Sequence, residues 1–107
     1  MPELERVKTA LAGLTDRCYH YTAAKNAKAP YIVWAEDSET NLCGEGSKVL
    51  ERSVQGTVDL YTRSEGDPLM VQIPEALNRG GTIHYLNSVQ YEDETGLIHY
   101  EWVFTAV

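Results

Sequence analysis

The side chains of this chain that could bind a metal, move a proton or attack a carbonyl are three histidines, two cysteines and several carboxylate pairs. His20, His84 and His99 each sit beside a tyrosine in a strand-like run, and no HxH, HxxxH or HExxH spacing links them. His84 and His99 fall on the two arms of an expected hairpin, where they could face one another. A histidine in such a run is ordinarily a half-exposed strand residue, so no metal and no cofactor is expected. Cys18 and Cys43 show neither CxxC nor any other zinc spacing and make no disulfide framework. They read as two free thiols. Cys43 lies in an acidic, glycine-bearing stretch that would raise a thiol pKa and weaken it as a nucleophile. Glu36–Asp37 and Glu92–Asp93–Glu94 fall at strand ends or turns, where carboxylates are normally solvated. The GEG at 44–46 precedes no helix and is not a phosphate loop. With no nucleophile held by a base, no enzyme is expected.

The elements that would position these residues follow from hydrophobic spacing. Leu4, Val7, Leu11 and Leu14 recur at helical intervals, with Pro2 suited to the first turn and Gly13 to the stop. Cys18–Tyr21 reads as a short edge strand and Thr22–Ala29 as a surface loop. Tyr31–Glu36 is apolar on both parities, as in a strand covered on both faces. Asp37–Lys48 is rich in Gly, Ser, Asn and acids and reads as the tip of a long hairpin. Val49–Thr62 returns from it, with Leu50, Val54, Val58 and Leu60 on one parity. Gly56 interrupts that apolar parity, which predicts a bulge, a sharp twist or a close backbone approach.

Asp67–Pro68 opens a second helix, with Leu69, Ile73, Ala76 and Leu77 as its apolar stripe. Pro74 predicts a kink or a restart there. Ile83–Tyr91 alternates as Ile83, Tyr85, Val89 and Tyr91 against His84, Ser88 and Gln90. Leu97–Val107 places Ile98, Tyr100, Trp102 and Phe104 on one face, and Trp102 and Phe104 are expected in the core. The fold class is therefore α+β: one domain over 1–107, with an antiparallel sheet of four to five strands. It includes a long hairpin, an N-terminal helix and a second helix between the two hairpins.

Composition limits the partners. The net charge of -7, from 9 basic and 16 acidic residues, comes with no Lys/Arg cluster, so specific nucleic-acid binding is not expected. No apolar run approaches the ~18 residues of a membrane span, and charged residues interrupt the N-terminus, unlike a signal peptide.

The segments PYIVW (Pro30–Trp34), VQGTVDLYT (Val54–Thr62), DPL (Asp67–Leu69), PEALN (Pro74–Asn78) and IHYEWVF (Ile98–Phe104) together resemble the tail-terminator, or tail-completion, proteins of long-tailed phages and prophages. The resemblance runs from Pro30 to the C-terminus. It departs at Gly56, where the family more often has a bulky residue, and at Pro74. It implies a structural minor tail component of the virion neck, assembled in the host cytoplasm. Such subunits form a ring, commonly a hexamer, that caps the tail tube protein and docks the head connector. The acidic surplus would suit a pore that DNA slides through. On this reading the contact region is Tyr31, Trp34, Asp37, Glu39, Leu42, Cys43, Glu45 and Lys48. The alternatives are a head–tail connector or stopper and, from another class, a small ligand- or metal-binding α+β domain with a cleft near His84 and His99.

Overall fold

The structure, a computed structural model, describes residues 2–43 and 49–107, with side chains described for 2–39 and 52–107. Two helices lie on one face of a five-stranded sheet. The elements run α1 (Pro2–Ala12), β1 (Cys18–His20), β2 (Tyr31–Cys43), β3 (Val49–Thr62), α2 (Leu69–Arg79), β4 (Ile83–Glu92) and β5 (Leu97–Ala106). The sheet order is β1-β2-β3-β5-β4. This is the expected α+β class. The sheet is mixed, however, because β1 pairs with β2 in parallel, Cys18 opposite Ile32 and His20 opposite Trp34. The chain crosses back over residues 21–30 before β2 begins. Arg17 donates to the carbonyls of Lys28 and Ala29, both at 3.1 Å, and holds that crossing against the start of β1.

The helix face of the sheet is the core. Ile32 and Trp34, Val54, Val58 and Leu60, and Tyr100, Trp102, Phe104 and Ala106 meet Leu4, Val7 and Leu11 of α1 and Leu69, Ile73 and Leu77 of α2. Trp102 and Phe104 are buried as expected. β2 differs from its expectation in two ways. Tyr31, Val33 and Ala35 are only half-buried, because no described element covers the opposite sheet face. The strand also continues beyond Glu36 to Cys43, through a register break between Glu36 and Ser38. Residues 37–43, read as loop from their polarity, are strand because β3 supplies a ladder partner for nearly all of them; a hairpin arm standing clear of the core needs no apolar face. The ladder to β5 stops at Val54, so the outer β2–β3 arm stands beyond it, and the molecule measures 53 × 25 × 25 Å.

Gly56 is a close-approach glycine. It pairs with Glu36 on one side and Phe104 on the other. A Cβ there would lie 2.1 Å from the Ala35 carbonyl oxygen and 2.7 Å from the Phe104 ring.

α2 starts where Asp67 caps it. The Asp67 carboxylate accepts from the Leu69 N–H at 2.9 Å and from the Thr62 hydroxyl at 2.7 Å, and Pro68 already has helical angles. Asp67 and Thr62 are both buried, so this pair ties the end of β3 to the first turn of α2. The helix runs through Pro74 without a second start. Pro74 lies one turn after Met70, whose carbonyl loses its usual donor, but the Ile73, Ala76 and Leu77 contacts keep both halves on the sheet.

β4 breaks the expected alternation. The register slips between Leu86 and Ser88, so Asn87 is an extra residue. Before it, Ile83 and Tyr85 pair with Thr105 and Val103 on the uncovered face. After it, Val89 and Tyr91 pair with Tyr100 and Ile98 on the helix face. Apolar residues expected on one side are split between two.

Candidate functional site

Three surface regions collect the polar and aromatic side chains, and each traces to strand register. The first is a cleft of about 390 Å³ between α1 and the β1–β2 edge, lined by Leu4, Glu5, Lys8, Ala12, Cys18, His20, Trp34 and Glu36. The parallel pairing sets His20 beside Trp34, and the rings stack at 3.9 Å. Tyr21, in a left-handed conformation (φ 72°), folds back to stack on His20 at 4.0 Å. His20 meets Glu36 at 2.7 Å, and the Tyr21 hydroxyl donates to the same carboxylate. Burial alone would push the Glu36 pKa up, but the bonds from Tyr21 and His20 outweigh it and hold the carboxyl below its ordinary value. Cys18 is a half-buried thiol whose pKa burial raises, so it makes a poor nucleophile.

The second region is the uncovered sheet face. Tyr31, Tyr61, His99 and Gln90 form one row across β2, β3, β5 and β4. Tyr31 stacks on Tyr61 at 4.9 Å, and Tyr61 on His99 at 4.3 Å. Tyr19 meets Tyr31 edge-on at 6.3 Å. Stacked neighbours in adjacent strands stand upright on the sheet and spend their faces on each other. A base-stacking platform needs those faces turned outward, and in this row Tyr31, Tyr61 and His99 turn theirs toward one another. The next row brings Val33, Asp59, Glu101 and Ser88 together. His99 Nε2 lies 2.6 Å from Asp59 Oδ1. Thr57 donates to Asp59 Oδ2 at 3.3 Å, and Asn87, the bulged residue of β4, donates to Glu101 Oε1 at 2.8 Å.

The bond to Asp59 raises the His99 pKa against the opposing effect of burial, with Asp59, Glu92 and Glu101 adding attraction. His84 is shifted the other way, lowered by burial, while its ring meets Asn78 at 2.8 Å. Burial, together with the negative charge of Asp59, pushes Tyr61 up to about 12. A proton-detected histidine titration is therefore expected to place His99 above 6.5 and His84 below it. The stabilisation from charged His99 is fully present below pH 6.5, its unfolded value, and fades as pH rises through the higher folded value. In Asp59→Asn the largest raising influence is gone and burial is opposed only by Glu92 and Glu101, so the His99 pKa should fall. An unchanged His99 in that variant would discard the pairing.

The third region is the β4 edge. Ile83 is 66% exposed, Tyr85 59%, Leu86 49%, Val89 51% and Tyr91 64%. On the helix side a shallow groove of about 710 Å³ beside the strand is lined by Arg63, Glu65, Val89, Tyr91, Gly96, Ile98 and Tyr100.

The three histidines lie in three separate environments. His84 pairs with Phe104 and His99 with Gln90, so the two do not oppose each other. They also leave the hairpin on opposite faces, because an odd–even offset in an antiparallel ladder reverses side-chain direction. A cleft joining them is thus absent from the described residues. Of the expected contact residues, Tyr31 is on the uncovered face and Asp37 is exposed at the β2 break. Glu39 is exposed on the helix side, 3.5 Å from Arg52, which also pairs with Glu3 of α1 at 2.9 Å. Trp34 is 4% exposed and faces the helices. Leu42 and Cys43 lie in β2 opposite Glu51 and Val49, but their side chains fall outside the described residues, as do Glu45 and Lys48 altogether. The β4 edge and the Asp59–His99–Glu101 cluster were not singled out from sequence. The absence of Lys, Arg, Asp and Glu between Ile83 and Tyr91 was the available signal for the edge.

No protein-family model matches the chain, and no curated protein matches it in sequence. Among the described residues, no helix is long and apolar enough to cross a membrane.

Proposed function

We propose that this chain is a structural subunit that assembles with copies of itself, of the type that terminates a phage tail tube and joins it to the head connector. The observation carrying this reading is β4. A lone domain guards a long sheet edge with charges, proline or brevity. On the opposite side β1 is three residues long, and the stretch of β2 that it leaves uncovered carries Glu36, Asp37 and Glu39. β4 is ten residues long, carries no Lys, Arg, Asp or Glu before Glu92, and exposes five large apolar side chains. Unpaired backbone groups flanked by apolar side chains favour strand addition by a neighbour. The upright ring row and the acidic charge give no handle for nucleic acid, which suits a ring whose bore DNA must pass without sticking. The virion neck is the corresponding location, and no catalytic step is involved. The resemblance of the strand motifs to tail terminators supplies the particular assembly. Neighbouring genes for a major tail protein and a tape measure would support it further.

The test is sedimentation with negative-stain microscopy of the full chain and of Tyr85→Lys and Val89→Lys. Both positions are exposed, so thermal stability should change by no more than about 0.5 kcal/mol. The wild type is expected to form rings and the variants to fall to monomers. A wild type that stays monomeric at every concentration, or lysine variants that assemble equally well, would overturn the reading. Deleting 40–47 tests the hairpin separately, by whether rings still cap tail tubes.

A further inference from the structure

We propose that Asp59, His99 and Glu101 form a site for one divalent transition-metal ion on the uncovered face of the sheet, zinc being the best match. The β3–β5 register sets Asp59 directly opposite Glu101, and His99 lies two residues before Glu101 on the same face. One donor atom from each of the three lies within 4.8 Å of the others. Ligands around a tetrahedral zinc at its usual bond lengths sit about 3.3 Å apart. Rotamer adjustments alone therefore close the site, with His99 Nε2 and Asp59 Oδ1 moving apart from their present 2.6 Å.

Each ligand is held from outside the set. Thr57 occupies Asp59 Oδ2 and leaves Oδ1. Asn87 occupies Glu101 Oε1 and leaves Oε2. Tyr61 stacks on the His99 ring and fixes its plane. Outer partners of this kind orient metal ligands and tune affinity. The β4 bulge is what delivers Asn87 to Glu101, so the irregularity serves the cluster. The side chains of His99 and Asp59 are only 18% and 15% exposed, so the ion is partly shielded. One imidazole with two carboxylates and no thiolate is a nitrogen–oxygen set, which zinc accepts and which leaves a fourth position for water or a neighbouring subunit. On binding, the proton shared between His99 and Asp59 leaves to solvent and the metal takes its place. The site is a holding site and does not rest on the tail-terminator reading.

Zinc chloride is titrated calorimetrically into the chelator-treated full chain at pH 7.5, with parallel spectra of the histidine rings. One ion per chain is expected, with the His99 signals moving and those of His20 and His84 staying put. His99→Gln and Asp59→Asn should each weaken binding at least tenfold. Asn87→Ala, at an exposed position that leaves all three ligands in place, should weaken it about tenfold. The His20→Gln variant should bind like the wild type. Absence of uptake at millimolar zinc, uptake undiminished in His99→Gln, or equal shifts at all three histidines would overturn the site.

Discussion

Gly56→Ala is expected to destabilise the domain by about 3 kcal/mol, the upper part of the usual range for overpacking. For a chain of this size that corresponds to a fall of about 15 °C in Tm. The new methyl group would sit 2.1 Å from the Ala35 carbonyl oxygen and 2.8 Å from Glu36 Cα. Both are backbone atoms of β2, so no rotamer change relieves the clash. The Phe104 ring, 2.7 Å away, is the only flexible neighbour of the three nearest. Trimming that ring in a Gly56→Ala/Phe104→Leu double variant should therefore recover only a fraction of the loss. Urea denaturation of the two single variants and the double variant measures this directly. Full recovery would show that the ring, and not the β2 backbone, demands glycine. The close approach falls where β2 breaks register, between Glu36 and Ser38.

Phe104→Ala is expected to cost about 4 kcal/mol, the middle of the range for emptying a buried aromatic site. Phe104 is fully buried near the C-terminal end of β5, between Gly56 on β3 and His84 on β4. The atoms around it belong to three strands and cannot all collapse into the space. Most of a typical stability of 5–15 kcal/mol would survive in a robust parent and little in a marginal one. Unfolding of wild type and variant in urea checks it, with an unchanged slope required for the comparison. A loss below about 1 kcal/mol would mean that the core re-forms around the missing ring.

Local rules carried the sequence a long way where one element decides its own structure. The α1 stripe of Leu4, Val7 and Leu11 needs only a period of 3.6, and it is buried as spaced. Asp67–Pro68 marked the α2 start through capping chemistry, and Gly56 announced a close approach through its missing side chain. What escaped depends on one segment choosing its position on another. β1 contributes three residues, too few for a pattern to reveal that it runs parallel to β2. Asn87 is an ordinary polar residue in a strand; only the pairing with β5 makes it supernumerary and sends Val89 and Tyr91 to the other side. His99 and Glu101 shared a parity that was visible in the sequence. Asp59 joined them only once the β3–β5 register was known, so the cluster was half legible. The Tyr31–Tyr61–His99 row was illegible for the same reason, since each ring comes from a different strand.

The bulge at Asn87 also bears on symmetry. A dyad through the middle of β4 would align Ile83 with Tyr91 of the copy and Tyr85 with Val89. In a regular ladder such opposed residues emerge on one side, yet here they emerge on opposite sides. A twofold β4–β4 ribbon is thereby confined to the flat half on either side of residue 87, four or five residues at most. A full-length mate must carry a compensating irregularity of its own, and β2 has one at Asp37, along an outer border that β1 leaves bare past Trp34. Joining unlike borders would repeat head-to-tail, and such repetition gives a circle where the rotation between neighbours closes and an open filament where it does not.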